Sequence, residues 1–146
     1  MSMMGAMLDA AGLQRVLDEA PFHRWLGVRV ERVGEDAIEL SVPWREEIVS
    51  NPKARSVHGG VLAALVDLAA DQAIAARLGH ALPTIDLRTD FHRPALPGRL
   101  KARGEVIKLG RTVVTADARV FDEAGALVAS GRAVYLNQQG ETHEAR

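Results

Sequence analysis

"SVHGGVLAALVDLAA", residues 56–70, reads as a helix that is apolar on almost every side. Its ionisable side chains are His58 at the start and Asp67 in the middle, and Asp71 follows one turn later. A helix apolar all round belongs inside a fold, covered by other elements. A carboxylate there is costly unless it is paired or hydrogen-bonded, so Asp67 needs a reason. The helix is predicted from about residue 58 to 78, with Gly79 as a suitable C′ residue. Asp67, Asp71 and Gln72 interrupt the run, which falls short of the roughly 20 apolar residues of a membrane span. It is therefore expected to be a core helix.

The flanking sequence supplies what would cover it. Residues 8–19 carry Leu8, Leu13, Val16 and Leu17 at helical spacing, with Pro21 as the stop. Residues 26–33 and 37–44 alternate around the turn Gly34-Glu35-Asp36 and predict a hairpin. Residues 45–57 show no period, and an unstructured connection this long is uncommon unless it has a role. Four further stretches read as strands: 84–92, 99–109, 112–121 and 126–136. In the first, Ile85, Leu87 and Phe91 are expected on one face and Thr84, Asp86, Arg88, Asp90 and His92 on the other. Short turns between the later strands imply antiparallel pairing. The expected order is α-β-β-α-β-β-β-β, an α+β fold in which a curved antiparallel sheet of about six strands wraps a long central helix. The whole chain, 1–146, is expected to be one domain, with the core at about 26–136 and a fraying polar tail at 137–146.

Composition removes several function classes. The net charge is −1, which gives no electrostatic reason for binding nucleic acid or an anionic membrane. The chain contains no cysteine, so disulfides, thiolate metal sites and cysteine nucleophiles are excluded. That composition fits a reducing compartment. The first ten residues show neither a basic n-region nor an apolar h-region, so no signal peptide is expected and a cytoplasmic location is. His23, His80, His92 and His143 lack metal-ligand spacing, so no metal is expected; nor is any cofactor expected.

A turn of about 100° per residue places Asp67 among Gly60, Ala63, Ala64 and Ala70, with Leu62, Leu65 and Ala69 on the opposite side. Small residues leave room for a neighbouring backbone or a ligand. Asp67 is then either a structural acid, bonded to a strand or paired with an arginine such as Arg88, or a general base or nucleophile beside a pocket. Gly59 and Gly60 open the helix where free N–H groups and the positive dipole end lie. They serve either close packing or the polarisation of a carbonyl at the Gly59 N–H. His58 is read as a cap-like donor to the preceding loop or a ligand contact, with the structural role favoured.

The run Asn51, then His58-Gly59-Gly60, then Leu65 and Asp67 resembles the signature of hotdog-fold acyl-CoA thioesterases of the PaaI-like and THEM2-like group. The resemblance extends through 83–100 and 109–135, so it covers nearly all of 26–136. It implies that Asp67 is the catalytic carboxylate and that the Gly59 N–H polarises the thioester carbonyl. It implies that Asn51 orients water or thioester and that Thr84 helps hold the water. One departure is that Asn51 stands seven residues before His58 where six are expected. His58 and Gly60 would line the substrate site, and Arg93 and Arg111, with Arg88 and Lys101 behind them, are candidates for the CoA phosphates. The family further implies a homodimer, often paired into tetramers, whose active sites are completed by the partner chain. Two alternatives are a non-catalytic acyl-CoA-binding hotdog and a hotdog enoyl-CoA hydratase or dehydratase. The second wants His and acid together, whereas His58 and Asp67 lie on opposite sides of the helix.

Overall fold

The apolar central helix needs a cover, and a single curved sheet provides it. The computed structural model describes residues 7–138; residues 1–6 and 139–146 lie outside the described part, and with them His143 and most of the expected tail. The chain runs α1 (Ala10–Leu17), α2 (Pro21–Leu26), β1 (Arg29–Val33), β2 (Ala37–Val42), a 3-10 turn (Glu46–Ile48), β3 (Val49–Asn51), β4 (Ser56–Val57), α3 (Gly59–Leu78), β5 (Thr84–Phe91), β6 (Leu100–Leu109), β7 (Val113–Phe121) and β8 (Leu127–Leu136). Six strands form one antiparallel sheet in the order β1-β2-β6-β7-β8-β5, and β3 and β4 form a separate small ribbon. The expected six-stranded sheet around a long helix is what the chain adopts.

The helix lies close because the sheet offers small residues beneath it. One cross-strand row reads Ile38, Gly104, Ala118, Gly131, Thr89. A Cβ on Gly104 would come within 1.9 Å of the Ala69 carbonyl oxygen, so the helix backbone rests directly on β6 there. A Cβ on Gly131 would come within 2.1 Å of the Arg88 carbonyl oxygen and 2.8 Å of Val66. From α3, Leu65, Val66, Ala69, Ala70 and Ile74 are fully buried against this surface. The inward positions of β7, namely Val114, Ala116, Ala118 and Val120, are buried as their alternation predicts.

Several expectations need correction. The first helix is shorter than 8–19: Asp9 caps it by accepting the Gly12 N–H at 2.8 Å, and it ends at Leu17. Pro21 does not merely stop α1. It occupies the first turn of α2, where its missing N–H costs nothing, and Gly27 at φ 71° closes that helix. The 45–57 connection is not structureless, since it holds the 3-10 turn and the β3–β4 ribbon. Asn137 does not fray: it is buried, and its Nδ2 donates to the Gly110 carbonyl at 3.0 Å. Ala70, expected near Asp67 on the open side, is buried in the core.

Thr84 pairs with Tyr135, but Asp86 pairs with Val134 and Leu87 with Ala133. Ile85 is thus an extra residue, a β-bulge. Paired residues share a face, so Thr84 lies on the same face as Leu87, the face toward α3. The alternation of an unbroken strand had put Thr84 on the opposite one. Ile85, expected inward, is 56% exposed, and Phe91 is 57% exposed beside the helix start.

Candidate functional site

The site grows from one rung of the sheet. Tyr135 on β8 and Thr84 on β5 are direct cross-strand partners, and both face α3. The Thr84 hydroxyl donates to Asp67 Oδ1 at 2.8 Å. The Tyr135 phenol lies 2.8 Å from the same Oδ1 and 2.9 Å from the Asp67 carbonyl oxygen, both acceptors for its O–H. Burial, then the charge and hydrogen bond of Asp67, push the Tyr135 phenol well above its ordinary range, so it remains a donor. Asp67 itself is half-buried, with Ala63, Ala64 and Asp71 similarly half-buried along the open side of the helix. Both donors converge on Oδ1, and Oδ2 has no hydrogen bond among the described residues. The arrangement fixes the carboxylate and leaves one oxygen to accept a proton or attack a carbon.

The two readings of Asp67 therefore meet in one geometry: it is bonded to strands, as a structural acid would be, and it still presents a free oxygen. The pairing with Arg88 is not made, because Arg88 lies 3.1 Å from Asp90 instead. Tyr135 escaped the sequence reading. Its signal was there: it is the single tyrosine, it follows the inward positions Ala129, Gly131 and Ala133, and a buried phenol seeks a partner.

The other candidates fall into two groups. At the N-terminus of α3, His58 is the cap, but its side chain accepts rather than donates: Nδ1 takes the Gly60 N–H at 2.9 Å. That uses the Gly60 donor and leaves the Gly59 N–H without an acceptor among the described residues. The His58 backbone N–H reaches back to the Ile48 carbonyl at 2.7 Å. Asn51 turns toward its own loop, where Oδ1 accepts the Lys53 and Ala54 N–H groups at 3.0 and 3.2 Å. Among the described residues, no hydrogen bond joins it to Asp67. Arg93 lies just beyond β5 and Arg111 in the β6–β7 turn; both are exposed. Among the described residues, no group of three His, Cys, Asp or Glu side chains could hold a metal ion. No described helix is long and apolar enough to cross a membrane.

Gly59 and Asp67 are eight residues apart on one helix, about 12 Å along its axis. One thioester carbonyl cannot touch both within a single chain. Gly59 abuts Phe91, at the end of β5, where a Cβ would meet the ring at 3.5 Å. Asp67 meets Thr84, at the start of the same strand. Gly59 and Asp67 thus sit at opposite ends of the exposed edge strand.

Comparison with known proteins agrees with this architecture. A family model described as the thioesterase superfamily matches residues 55–129. A Halobacterium salinarum protein named as a candidate esterase is 34% identical over 122 residues, spanning 80% of each chain. An Escherichia coli protein named medium/long-chain acyl-CoA thioesterase is 28% identical, over 91% of this chain and 99% of its own. A solved structure of a thioesterase-superfamily protein is 50% identical with a TM-score of 0.86, over 88% of this chain and 98% of that one. With the glycine-opened helix and its wrapping sheet, these matches show that the chain is a hotdog-fold member of the thioesterase superfamily.

Proposed function

We propose that the protein hydrolyses acyl-CoA thioesters to free CoA and a carboxylic acid, with Asp67 as general base or nucleophile. The observation that carries this reading is the Asp67 carboxylate, clamped through Oδ1 by Thr84 and Tyr135 with Oδ2 free. As general base, Oδ2 takes a proton from water while the water oxygen bonds to the thioester carbon. The carbonyl electrons collect on oxygen at the Gly59 N–H, then return to expel the CoA sulfur, which leaves with the proton. As nucleophile, Oδ2 itself bonds to that carbon and expels the thiolate, and water then opens the mixed anhydride. Heavy-oxygen water in a single turnover separates the two routes, because only the anhydride route can place label in Asp67.

The 12 Å between Gly59 and Asp67 supports a site shared by two chains. Pairing β5 antiparallel with its copy in a homodimer brings the Phe91 end of one chain to the Thr84 end of the other. The Gly59 N–H and Arg93 of one subunit then face Asp67, Thr84 and Arg111 of its partner. In this reading Gly59 is the oxyanion donor, and His58 shapes the helix start. Gly60 leaves space for the thioester, and Arg93 and Arg111 meet CoA phosphates. Asn51 approaches from the loop across the interface. An exposed edge strand bearing Ile85 and Phe91 is also a surface that calls for cover. A cytoplasmic setting is part of the proposal, supported by the cysteine-free composition.

The test is Asp67→Asn, assayed by thiol release on a panel of CoA esters that starts with medium and long chains. A fall in kcat/KM of about 100-fold or more is expected; a fall under about tenfold means another residue does the chemistry.

A further inference from the structure

Asp71 is the one acid on the open side of α3 that the proposed reaction leaves idle. It stands one turn after Asp67, so its carboxylate lies on the same helix face about 5–6 Å away. It accepts the Leu82 N–H at 2.9 Å. Leu82 is two residues before Thr84, and between them the Pro83 carbonyl accepts the Leu136 N–H at 2.9 Å. The start of β5 is therefore tied down just before the Ile85 bulge that turns Thr84 inward.

We propose that Asp71 is a positioning residue of this site: through Leu82 it holds Thr84 against Asp67, and its own charge drives negative charge out of Asp67 as the thioester is attacked. The inference rests on the thioesterase reading for its effect on turnover, but not for the contacts themselves. In either route, charge moves from the Asp67 carboxylate to the carbonyl oxygen. A second carboxylate beside Asp67 favours that movement when ionised and not when protonated. Burial pushes the Asp71 carboxyl up, the Leu82 N–H offsets part of this, and the Asp67 charge adds to it, giving about 7. Asp71 therefore changes charge close to neutral pH.

The groups that face Asp71 make the assignment specific. From its own helix this is Asp67; Arg77, six residues on, points about 120° away from Asp71 and lies 3.9 Å from Asp36. From β8 it is Tyr135, whose phenol feels the Asp71 charge as well as that of Asp67. The segment before β5 supplies the Leu82 N–H, and β5 supplies the Thr84 hydroxyl, which reaches the neighbouring Asp67. The faces of β2, β6 and β7 turned to α3 carry Ala, Val, Leu, Ile and Gly. Leu13 and Leu17 are the buried side chains of α1.

The experiment measures kcat and KM from pH 5.5 to 9 for the wild type, Asp71→Asn and Asp71→Ala, together with hydrogen exchange at the Leu82 amide. Asn keeps an acceptor for Leu82 and cannot ionise. In the wild type, kcat is expected to rise about tenfold through neutral pH with KM nearly constant. Asp71→Asn is expected to lack the rise and to stay at the low-pH level, with Leu82 exchange unchanged. Asp71→Ala is expected to speed Leu82 exchange at least tenfold. A rise that survives in Asp71→Asn, or no rise in the wild type, overturns the charge role. Unchanged Leu82 exchange in Asp71→Ala overturns the positioning role. If Asp67→Asn proves fully active, the thioesterase assignment of Asp67 fails instead. Exchange at Leu82, and an Asp71 carboxyl titration that moves down in Asp67→Asn, then still decide the contacts and the coupling without any turnover.

Discussion

Replacing Asp71 by Asn should change how the stability of the protein depends on pH. The Asp71 carboxyl has an ordinary value of 3.8 and is pushed up to about 7 in the fold, chiefly by burial. Between these values the folded chain holds a proton that the unfolded chain has released. Stability therefore falls as pH rises from about 4 to 7 and levels off above that. At about 1.36 kcal/mol per pH unit, moving a carboxyl from 3.8 to about 7 is worth at most about 4 kcal/mol. Asn mimics the protonated acid at every pH and lacks this term. The wild type should therefore lose about 4 kcal/mol relative to Asp71→Asn between pH 4 and 8, or about 10 °C in melting temperature. The assay is denaturant and thermal unfolding of both proteins at one concentration, so that association contributes equally. Other carboxylates titrate alike in the two chains and cancel in the difference. A difference that stays constant across this range would mean that Asp71 is ionised throughout and is not raised by burial.

Gly104→Ala should destabilise the fold by about 3 kcal/mol or more, since its Cβ would meet the Ala69 carbonyl at 1.9 Å and backbone cannot swing aside; thermal melting reads this. Tyr135→Phe should lower kcat about tenfold with little change in KM, and cost about 1–3 kcal/mol of stability, because the Asp67 oxygens lose a buried donor. Thr84→Val should also lower kcat, and Thr84→Ser should restore most of it, since only the hydroxyl reaches Asp67; steady-state kinetics on the three proteins checks this.

What could be read from the sequence follows from which interactions are local. The α3 helix and the alternation of β6, β7 and β8 were legible because each leaves an apolar pattern in consecutive residues. The glycine-opened helix carrying Asp67 was legible for the same reason. The inward turn of Thr84 was not, since a bulge is fixed by pairing with β8 and Ile85 alone carries no sign of it. Tyr135 was missed because its partner lies 68 residues away in sequence. Pro21 marks a helix end in the sequence pattern yet begins α2, as proline in a first helical turn can do. Asn51, placed in the site by resemblance, spends its side chain on its own loop within the chain.

The Gly59 N–H of one subunit and Asp67 of the other are proposed to act on one thioester. Gly59→Pro removes that N–H with little disturbance, because Gly59 is the first residue of α3, where proline is favoured. His58 before it already has φ −57° and ψ 129°, which a following proline requires. Gly59→Pro and Asp67→Asn should each be nearly inactive alone. Unfolded together and refolded as a mixture, they should form mixed dimers with one intact site each. About a quarter of wild-type thiol release should return. A mixture no more active than its two components would mean that the two groups do not share a site across the dimer.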